Sequence, residues 1–400
     1  MKKKILLFGA GRMNRSLIAK LFYSAGYDIC FIDSDKTRID LLKEKNSYKI
    51  IVKGHTDQIT EIKEFKAFHT HETDAIENEI MGADLATISI GESNLKKASD
   101  LIANGLKKRV ECKYHTPLDI IVTGSLKDTP RKIRTHLKSS LPPDFPLSNY
   151  LGLVESSIGT MLPQMTREEL EEDPLRIYAE SFNTLILDKN GFLNPVPDIE
   201  GLVPKENIKA WADRKFFIQD LGHTALAYLA YIKNPKSRFT WQAMEDNEIH
   251  NAVSRAMQEA AHILMHMHPE EHSRSGLTDH INDLLIRFAN PALKNTLFSV
   301  GCNIGKQLGT TSPLVKIITY AAKNKLPCKN IMKVLISGIY FDAKDENNEM
   351  PKSDRDFLTK YNRDLSRILT KHCKFDPDKD SDLIFLGMNM NERIKENLIK

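Results

Sequence analysis

The stretch KILLFGAGRMNRSLIAKLF, Lys4 to Phe22, decides the fold of this chain. It begins with a short apolar run, turns at two glycines, Gly9 and Gly11, and continues with apolar residues at helical spacing. This order predicts a β-strand, a tight turn and a helix. The next apolar run ends at Asp33, about twenty residues beyond the turn, as in the first βαβ unit of a dinucleotide-binding domain.

The same alternation of strands and helices continues through the first half of the chain. Further strands are predicted at YDICFID, ADLATISIG and LDIIVTGS, and helices at KTRIDLLKEK and NLKKASDLIANGLKK. Alternation of this kind predicts a parallel sheet covered by helices on both faces. A more polar strand pair is expected at LGLVESS and RIYAESFNTLILD.

From about Lys205 onward the pattern is helical. The segment DNEIHNAVSRAMQEAAHILMH places apolar residues on one helix face, and further helices are predicted at 278–288, 313–323 and 328–340. We therefore predict an α/β fold in two parts. Residues 1–203 form a Rossmann-type parallel-sheet domain that binds a dinucleotide, and residues 204–400 form an all-helical substrate domain.

The composition argues against several classes of protein. The 400 residues carry a net charge of +4 with no long basic block, which argues against a nucleic-acid partner. The opening MKKKILLFGAG is too short for a signal peptide, and no segment approaches a membrane span. Five cysteines are scattered without a CxxC pair, as expected for reduced thiols. We therefore expect a cytoplasmic monomer that acts on a small molecule and has no membrane partner.

The glycine turn is a candidate cofactor site. Glycines let the backbone approach a pyrophosphate, the following helix supplies N–H donors, and a carboxylate binds the ribose hydroxyls. Asp33 is placed for the last role, and together with Asp35 it would repel a 2′-phosphate, which favours NAD over NADP. The alternative is a tight turn that binds no cofactor. The predicted cofactor-binding residues are Gly9, Gly11, Arg12, Met13, Asp33 and Gly91.

Asn14 replaces the third glycine of the G-x-G-x-x-G pattern. That glycine normally permits close packing of the helix on the strand. The larger side chain is expected to push the helix slightly away from the strand without changing the fold.

A second stretch, RKFFIQDLGH from Arg214 to His223, carries a lysine, an aspartate and a histidine on one predicted helix. With these residues, the glycine turn and Asp33, the chain resembles the mannitol-1-phosphate 5-dehydrogenase family, within the polyol-specific long-chain dehydrogenases. The likeness runs through ATISIG, PLDIIV, ESFNTLILDK and RFANPALK to LPCKNIM. The resemblance implies a Rossmann domain and a helical domain, NAD as the cofactor, no metal, and interconversion of a sugar phosphate and its polyol.

The signature helix of that family reads Lys, four residues, Asn, two residues, His. Lys215 and His223 are in register with it, so the resemblance implies that Lys215 is the general base and that His223 orients the substrate. Asp220 stands where the family has an asparagine that donates a hydrogen bond to the reacting oxygen. An ionised aspartate has no proton to donate, repels a developing oxyanion and favours the protonated form of Lys215. A protonated, neutral Asp220 would restore the donor.

Other family positions differ as well. The second family asparagine is Ser125 here, and its hydroxyl can still donate. Arg287 and Asn290, in RFANP, are retained and imply a substrate contact, although a helix end capped by Asn-Pro would explain them equally well. The arginine-rich segment of the family leaves Lys306 as the only clear cation, which is a thin clamp for a phosphate dianion.

Four histidines lie close together in sequence and include a helical i, i+4 pair that could bind zinc. No carboxylate or cysteine completes a convincing set of ligands, so we predict no metal site. The four are His262, His266, His268 and His272.

Two functions are consistent with these residues. The first, which we favour, is an NAD-dependent oxidoreductase acting on a polyol or sugar-phosphate type of substrate with altered specificity. Its catalytic residues would be Lys215, His223, Asp220 and Ser125. The second is a catalytically impaired descendant that binds a dinucleotide and acts as a sensor or interaction protein.

Overall fold

The structure is a computed structural model that describes residues 2–54, 56–123 and 128–399. Contacts between Cα atoms divide the chain into two units, Met1–Trp211 and Ala212–Lys400. The predicted domain boundary between residues 203 and 204 stays a prediction. No helix within the described ranges is long and apolar enough to cross a lipid bilayer.

The first unit contains all the strands of the described residues. They are β1 (Lys4–Phe8), β2 (Asp28–Asp33), β3 (Ser47–Val52), β4 (Gln58–Lys63), β5 (Lys66–His69), β6 (Leu85–Ile88), β7 (Leu118–Val122), β8 (Leu151–Ile158), β9 (Ile177–Ala179), β10 (Leu185–Asp188) and β11 (Leu202–Lys205). Within the described part of the chain, eight of them form one sheet in the order β11-β10-β8-β7-β6-β1-β2-β5. The six strands from β8 to β5 are parallel, and β10 pairs antiparallel with β8.

This strand order has a topological switch point between β1 and β6. The chain passes from β1 to β2 and β5 on one side, and then from β6 to β7 and β8 on the other side. Ligands of open α/β sheets bind beyond the carboxyl ends of the strands at such a point. The predicted Rossmann-type sheet is therefore confirmed.

Helices cover both faces of the sheet. The helices of this unit are α1 (Ala19–Ser24), α2 (Lys36–Lys45), α3 (Thr73–Met81), α4 (Glu92–Glu111), α5 (Thr129–Ser140), α6 (Leu147–Tyr150) and α7 (Arg167–Glu172). The next helix, α8 (Ile208–Arg214), begins in this unit and ends in the second. Ile5 and Leu7 of β1 pack with α1 and α2, whereas Leu6 and Phe8 pack with α3, α4 and α5. Alternate residues of β1 are thus buried on opposite faces, as expected for a central parallel strand.

One part of the sequence prediction was wrong. The stretch RIYAESFNTLILD was expected to form one strand paired with LGLVESS, but it forms two strands, β9 and β10. β10 pairs with β8 as expected, whereas β9 joins a separate sheet of order β4-β3-β9. The polar residues between Ala179 and Leu185 break the strand, and the chain changes sheets there.

Within its described residues the second unit consists of helices and the loops that join them, with an isolated β-bridge between Phe239 and Thr296. α9 is buried along nearly its whole length and packs against α11, α13 and α16. This confirms the predicted helical second domain. The helices are α9 (Leu221–Lys233), α10 (Thr240–Met244), α11 (Asn247–Met267), α12 (Arg274–Phe288), α13 (Leu297–Gly301), α14 (Ile304–Gln307), α15 (Pro313–Lys323), α16 (Lys329–Gly338), α17 (Lys352–Tyr361), α18 (Leu365–Arg367) and α19 (Ser381–Ile399).

Short segments of other helix types interrupt or extend these helices. Three are π-helical, a form that is rare and often found at functional sites. The π-helical segments are Asn14–Ile18, Lys215–Asp220 and Ile368–His372, and 3₁₀ segments lie at Lys189–Gly191 and Pro291–Leu293.

Candidate active site

Gly9 lies at the switch point of the sheet, directly after β1. Its φ is +95°, in the region that favours glycine, and its N–H donates to the carbonyl oxygen of Ile32 at 2.7 Å. A Cβ atom at this position would collide with the carbonyl oxygen of Ser89, which follows β6. Only glycine fits here because the ends of β1 and β6 approach closely.

Asn14 occupies the place of the usual third glycine and is fully buried. Its Nδ2 donates to the carbonyl oxygens of Phe8 at 3.1 Å and Gly9 at 2.7 Å. The helix starts at Arg12, and its π-helical segment Asn14–Ile18 begins at this residue. We expected this side chain to push the helix away from the strand, but it also ties the two together through the end of β1.

Asp33 ends β2 beside the glycine turn. Its Oδ2 accepts from the N–H of Ala10 at 2.5 Å, and its Oδ1 accepts from the N–H of Asp35 at 2.8 Å. Arg38 lies 3.4 Å from Asp33 and 2.8 Å from Asp35. Since an ionised carboxylate has about four lone-pair sites, Asp33 retains capacity to accept hydrogen bonds from ribose hydroxyls.

A cleft lies beside Asp33 at the carboxyl ends of β1, β2 and β5. Thr70 is 9% exposed, and its Oγ1 has no hydrogen-bond partner among the described residues. An orphaned buried hydroxyl next to a carboxylate fits a polar ligand group, and the apolar walls fit a planar ring. These residues therefore fit the adenosine half of a dinucleotide. The lining residues are Phe8, Gly9, Ile32, Asp33, Ser34, Thr70, Ile90, Asn94, Lys97 and Ala98.

Most of that lining was not predicted from the sequence. Thr70 follows β5 and Asn94 and Lys97 lie on α4, so they come together only through the fold. For Thr70 the sequence did hold a signal, because residues that directly follow a parallel strand often line the ligand site.

The other predicted cofactor residues lie around the same turn. A Cβ at Gly11 would meet no heavy atom of the described chain within 4 Å, and Gly91 is the N-cap residue of α4. The Arg12 guanidinium donates to the carbonyl oxygen of Pro163, and Met13 packs against the core. Their contact with a cofactor stays a prediction.

Lys215 and Asp220 form an ion pair in the second unit. The Lys215 Nζ lies 2.7 Å from Oδ1 and 2.8 Å from Oδ2 of Asp220. Residues five positions apart in an α-helix are about 140° apart around the axis. These two belong to the π-helical segment Lys215–Asp220, whose i to i+5 hydrogen bonding brings such residues to the same side.

The ion pair is only partly shielded from solvent. The side chains of Lys215 and Asp220 are 32% and 33% exposed. Burial raises the pKa of Asp220, and the charge and hydrogen bond of Lys215 oppose that shift, with a further contribution from Lys306. The pair thus places a proton-carrying amine beside a carboxylate, within reach of a ligand.

His223 follows the ion pair on α9 and presents a neutral imidazole. Burial, aided by the charges of Lys215 and Arg287, lowers the pKa of His223 to about 3. Its Nε2 is buried and has no hydrogen-bond partner in the described part of the chain, and its ring lies 4.3 Å from that of Phe288. Gly222 allows this packing, since a Cβ there would lie 2.9 Å from the sulfur of Met257.

The predicted substrate-binding residues are placed differently from one another. Arg287 is 7% exposed and lies 3.3 Å from Asp283. The Asn290 Oδ1 accepts from the N–H of Ala292 at 2.9 Å and caps the start of the 3₁₀ segment Pro291–Leu293, whereas α12 ends with Ala289 as its C-cap residue. Lys306 is exposed on α14. A substrate contact of these residues stays a prediction.

Ser125, predicted as a catalytic residue, lies outside the described residues. Of the four clustered histidines, His266 lies 3.0 Å from the Tyr320 hydroxyl and His268 lies 2.8 Å from Asp213. Among the described residues no group of three or more His, Cys, Asp or Glu side chains is arranged to hold a metal.

Two family models match the chain. The model described as the mannitol dehydrogenase Rossmann domain matches residues 3–201. The model described as the mannitol dehydrogenase C-terminal domain matches residues 207–373. Together they cover most of the sequence, and they agree with the predicted dinucleotide cofactor and polyol-dehydrogenase resemblance.

Two solved structures resemble the chain at low sequence identity. A D-sorbitol dehydrogenase in substrate-free form has a TM-score of 0.81 and 15% identity, and the match covers 100% of this chain and 94% of that one. Pseudomonas fluorescens mannitol 2-dehydrogenase, solved with NAD and D-mannitol, has a TM-score of 0.71 and 15% identity, with 100% and 93% covered. At this identity the likeness concerns the fold.

Proposed function

The chain belongs to the mannitol dehydrogenase family of polyol dehydrogenases, and on this basis we propose that it is an NAD-dependent oxidoreductase. Its substrate is a polyol or sugar phosphate, with a specificity altered from that of mannitol-1-phosphate 5-dehydrogenases. The observation that carries the proposal is the partly exposed Lys215 amine, held by Asp220 on the helix that also carries the neutral His223.

Lys215 is the proton-transferring residue in this proposal. During oxidation of an alcohol its neutral amine accepts the hydroxyl proton, and during reduction its ammonium form donates a proton to the carbonyl oxygen. NAD, when bound, accepts or supplies the hydride. His223 remains neutral and orients the substrate by a hydrogen bond from its imidazole.

Asp220 pairs with this lysine at 2.7 Å. Carbonyl reduction requires the ammonium form of the lysine as the acid. Oxidation of the alcohol requires the neutral amine and is favoured by alkaline pH. Ser125 is proposed as a further hydrogen-bond donor to the reacting oxygen.

The cofactor is bound by the first unit in this proposal. Gly9 and Gly11 let the backbone approach the pyrophosphate, and Asp33 accepts hydrogen bonds from the adenosine ribose. The ribose contact excludes a 2′-phosphate by charge and favours NAD. Arg12, Met13 and Gly91 are proposed as neighbouring contacts, and Arg287, Asn290 and Lys306 as substrate contacts.

Titration with NADH, followed by assays of NADH oxidation, tests this function. We expect saturable binding and oxidation in the presence of D-fructose, fructose 6-phosphate or a keto-acid. Lys215→Ala should bind NADH normally and turn over at least roughly a hundredfold more slowly than the wild type. Binding without turnover of any carbonyl substrate would contradict the proposal, and would instead support a catalytically impaired, dinucleotide-binding descendant that acts as a sensor or interaction protein.

A further inference from the structure

A second histidine of the helical unit has the same unusual environment as His223. His280, on α12, has a buried Nε2 with no hydrogen-bond partner among the residues that the structure describes. Buried polar side-chain atoms are nearly always hydrogen-bonded in folded proteins. A ligand or an ordered water is therefore expected at each of these two nitrogens.

His280 and Arg287 lie on one face of α12. They are seven residues apart, so their directions differ by about 20° around the helix axis. α12 packs against the π-helical segment Lys215–Asp220. The face of α12 that carries His280 is therefore the face that carries a predicted substrate contact.

The charge of Arg287 acts on both histidines. Burial, together with the charges of Arg214, Arg287 and His272, lowers the pKa of His280 to about 3. The charges of Lys215 and Arg287 likewise help to lower the pKa of His223. Both imidazoles are therefore neutral at physiological pH and lie within the electrostatic reach of Arg287.

Two cations of this neighbourhood are paired with carboxylates, and a third, Lys306, is exposed. Lys215 pairs with Asp220 at 2.7 Å, and Arg287 lies 3.3 Å from Asp283. Arg214 also has interactions of its own. Two neutral imidazoles add no charge, and each can either donate or accept a hydrogen bond depending on its tautomer. A hydroxyl group, which also does both, matches them better than a phosphate dianion.

We propose that His280 and His223 form a hydroxyl-binding pair, in which each Nε2 hydrogen-bonds a different hydroxyl of an uncharged polyol or ketose. His223 binds near the reacting carbon, beside Lys215, and His280 binds a hydroxyl further along the carbon chain. This inference rests on the proposed function and narrows its substrate class to the non-phosphorylated members. His280 is a specificity-determining residue and has no part in proton transfer.

Steady-state kinetics of three variants test this pair. The variants are His280→Phe, which removes the hydrogen-bonding nitrogens, His280→Gln, which keeps a donor and an acceptor, and His262→Phe, a matched change at an exposed histidine on α11. Each is assayed with NADH and D-fructose and with NAD and D-mannitol. NADH binding and thermal unfolding report whether each variant is folded.

His280→Phe should raise KM for D-fructose and D-mannitol by roughly tenfold, since one hydrogen bond to a buried group is lost, and should change kcat less than KM. His280→Gln should recover most of the affinity, and His262→Phe should match the wild type. The wild type should favour D-fructose over fructose 6-phosphate. A preference of the wild type for fructose 6-phosphate would overturn the proposal. An unchanged KM in His280→Phe would also overturn it, and would show that the His280 nitrogen binds only water.

A direct binding measurement separates this inference from the proposed function. The imidazole ¹⁵N signals of His280 and His223 are recorded with NAD present and D-mannitol added, and His280→Phe assigns its own signal. Movement of both signals supports the pair even if no substrate is turned over, in which case only the proposed function fails. Turnover by the wild type without movement of the His280 signal would overturn the pair alone.

Discussion

The glycine turn of the first unit and the Lys215 helix of the second unit differ in how each uses a polar residue in a π-helical segment. In the turn, Asn14 opens the segment Asn14–Ile18 and donates to two backbone carbonyl oxygens. In the helix, Asp220 ends the segment Lys215–Asp220 and pairs with a side chain that can move a proton.

Burial separates the two cases. Asn14 is fully buried and satisfied by the backbone, whereas Asp220 is 33% exposed and its partner Lys215 is 32% exposed. Both residues depart from the pattern expected at their position. Asn14 is accommodated by hydrogen bonds to the backbone. Asp220 instead changes the charge next to the proposed acid–base residue.

The largest expected effect is on the Lys215 side of this comparison. Lys215→Ala should lower kcat by on the order of a hundred- to ten-thousandfold, because it removes the group that transfers the proton. NADH affinity, measured by fluorescence titration, should stay within about twofold of the wild type. A variant that retains wild-type turnover would show that another group transfers the proton. Lys323→Ala, at an exposed lysine on α15, serves as the control.

Asn14→Asp tests whether the hydrogen bonds of Asn14 stabilise the glycine turn. A carboxylate at this position would face the carbonyl oxygens of Phe8 and Gly9 with no proton to donate. Leaving a buried charge without a partner should lower the free energy of unfolding by roughly 3 kcal/mol or more. Denaturant unfolding measures the change. Equal stability of variant and wild type would contradict the burial and bonding of Asn14.

Much of the first region could be predicted from the sequence, and less of the second. β1, β2 and α2 follow from apolar periodicity, and the switch point follows from their order. The strands β3 and β4 were missed because their pairing with β9 joins distant segments. The π-helical segment at Lys215–Asp220 was missed because apolar spacing does not reveal a single widened turn, and that turn creates the ion pair.

Asp220→Asn tests how the carboxylate beside Lys215 affects the reaction rate. The amide keeps the shape of the carboxylate, removes the negative charge and restores a donor for the reacting oxygen. Oxidation of a polyol by NAD at neutral pH should rise by on the order of a hundredfold, the lower end of the range associated with one oxyanion donor. Stopped-flow measurement of NADH formation reports the rate. A lower rate in the variant would show that the carboxylate itself assists the reaction.

The last expected effect is on how stability depends on pH, through His223. Its pKa is about 3 in the folded protein and about 6.5 in an unfolded chain, so the unfolded state binds the extra proton below pH ~6.5. The stabilising contribution is present above that pH and declines by about 1.4 kcal/mol per pH unit as the pH falls toward 3. His223→Gln should reduce this slope in denaturant unfolding. Identical slopes in variant and wild type would contradict a neutral, buried imidazole.

Deuterium transfer tests the central claim most directly, namely that this protein moves a hydride with Lys215 as the acid–base residue. The protein is incubated with NADH deuterated at the transferable position of the nicotinamide and with D-fructose or fructose 6-phosphate, and the polyol is analysed by mass spectrometry. The wild type and Asp220→Asn should give a product carrying one deuterium, and Lys215→Ala should give at least roughly a hundredfold less of it in the same time. Tight NADH binding by the wild type with no deuterated product from either ketose would contradict the account.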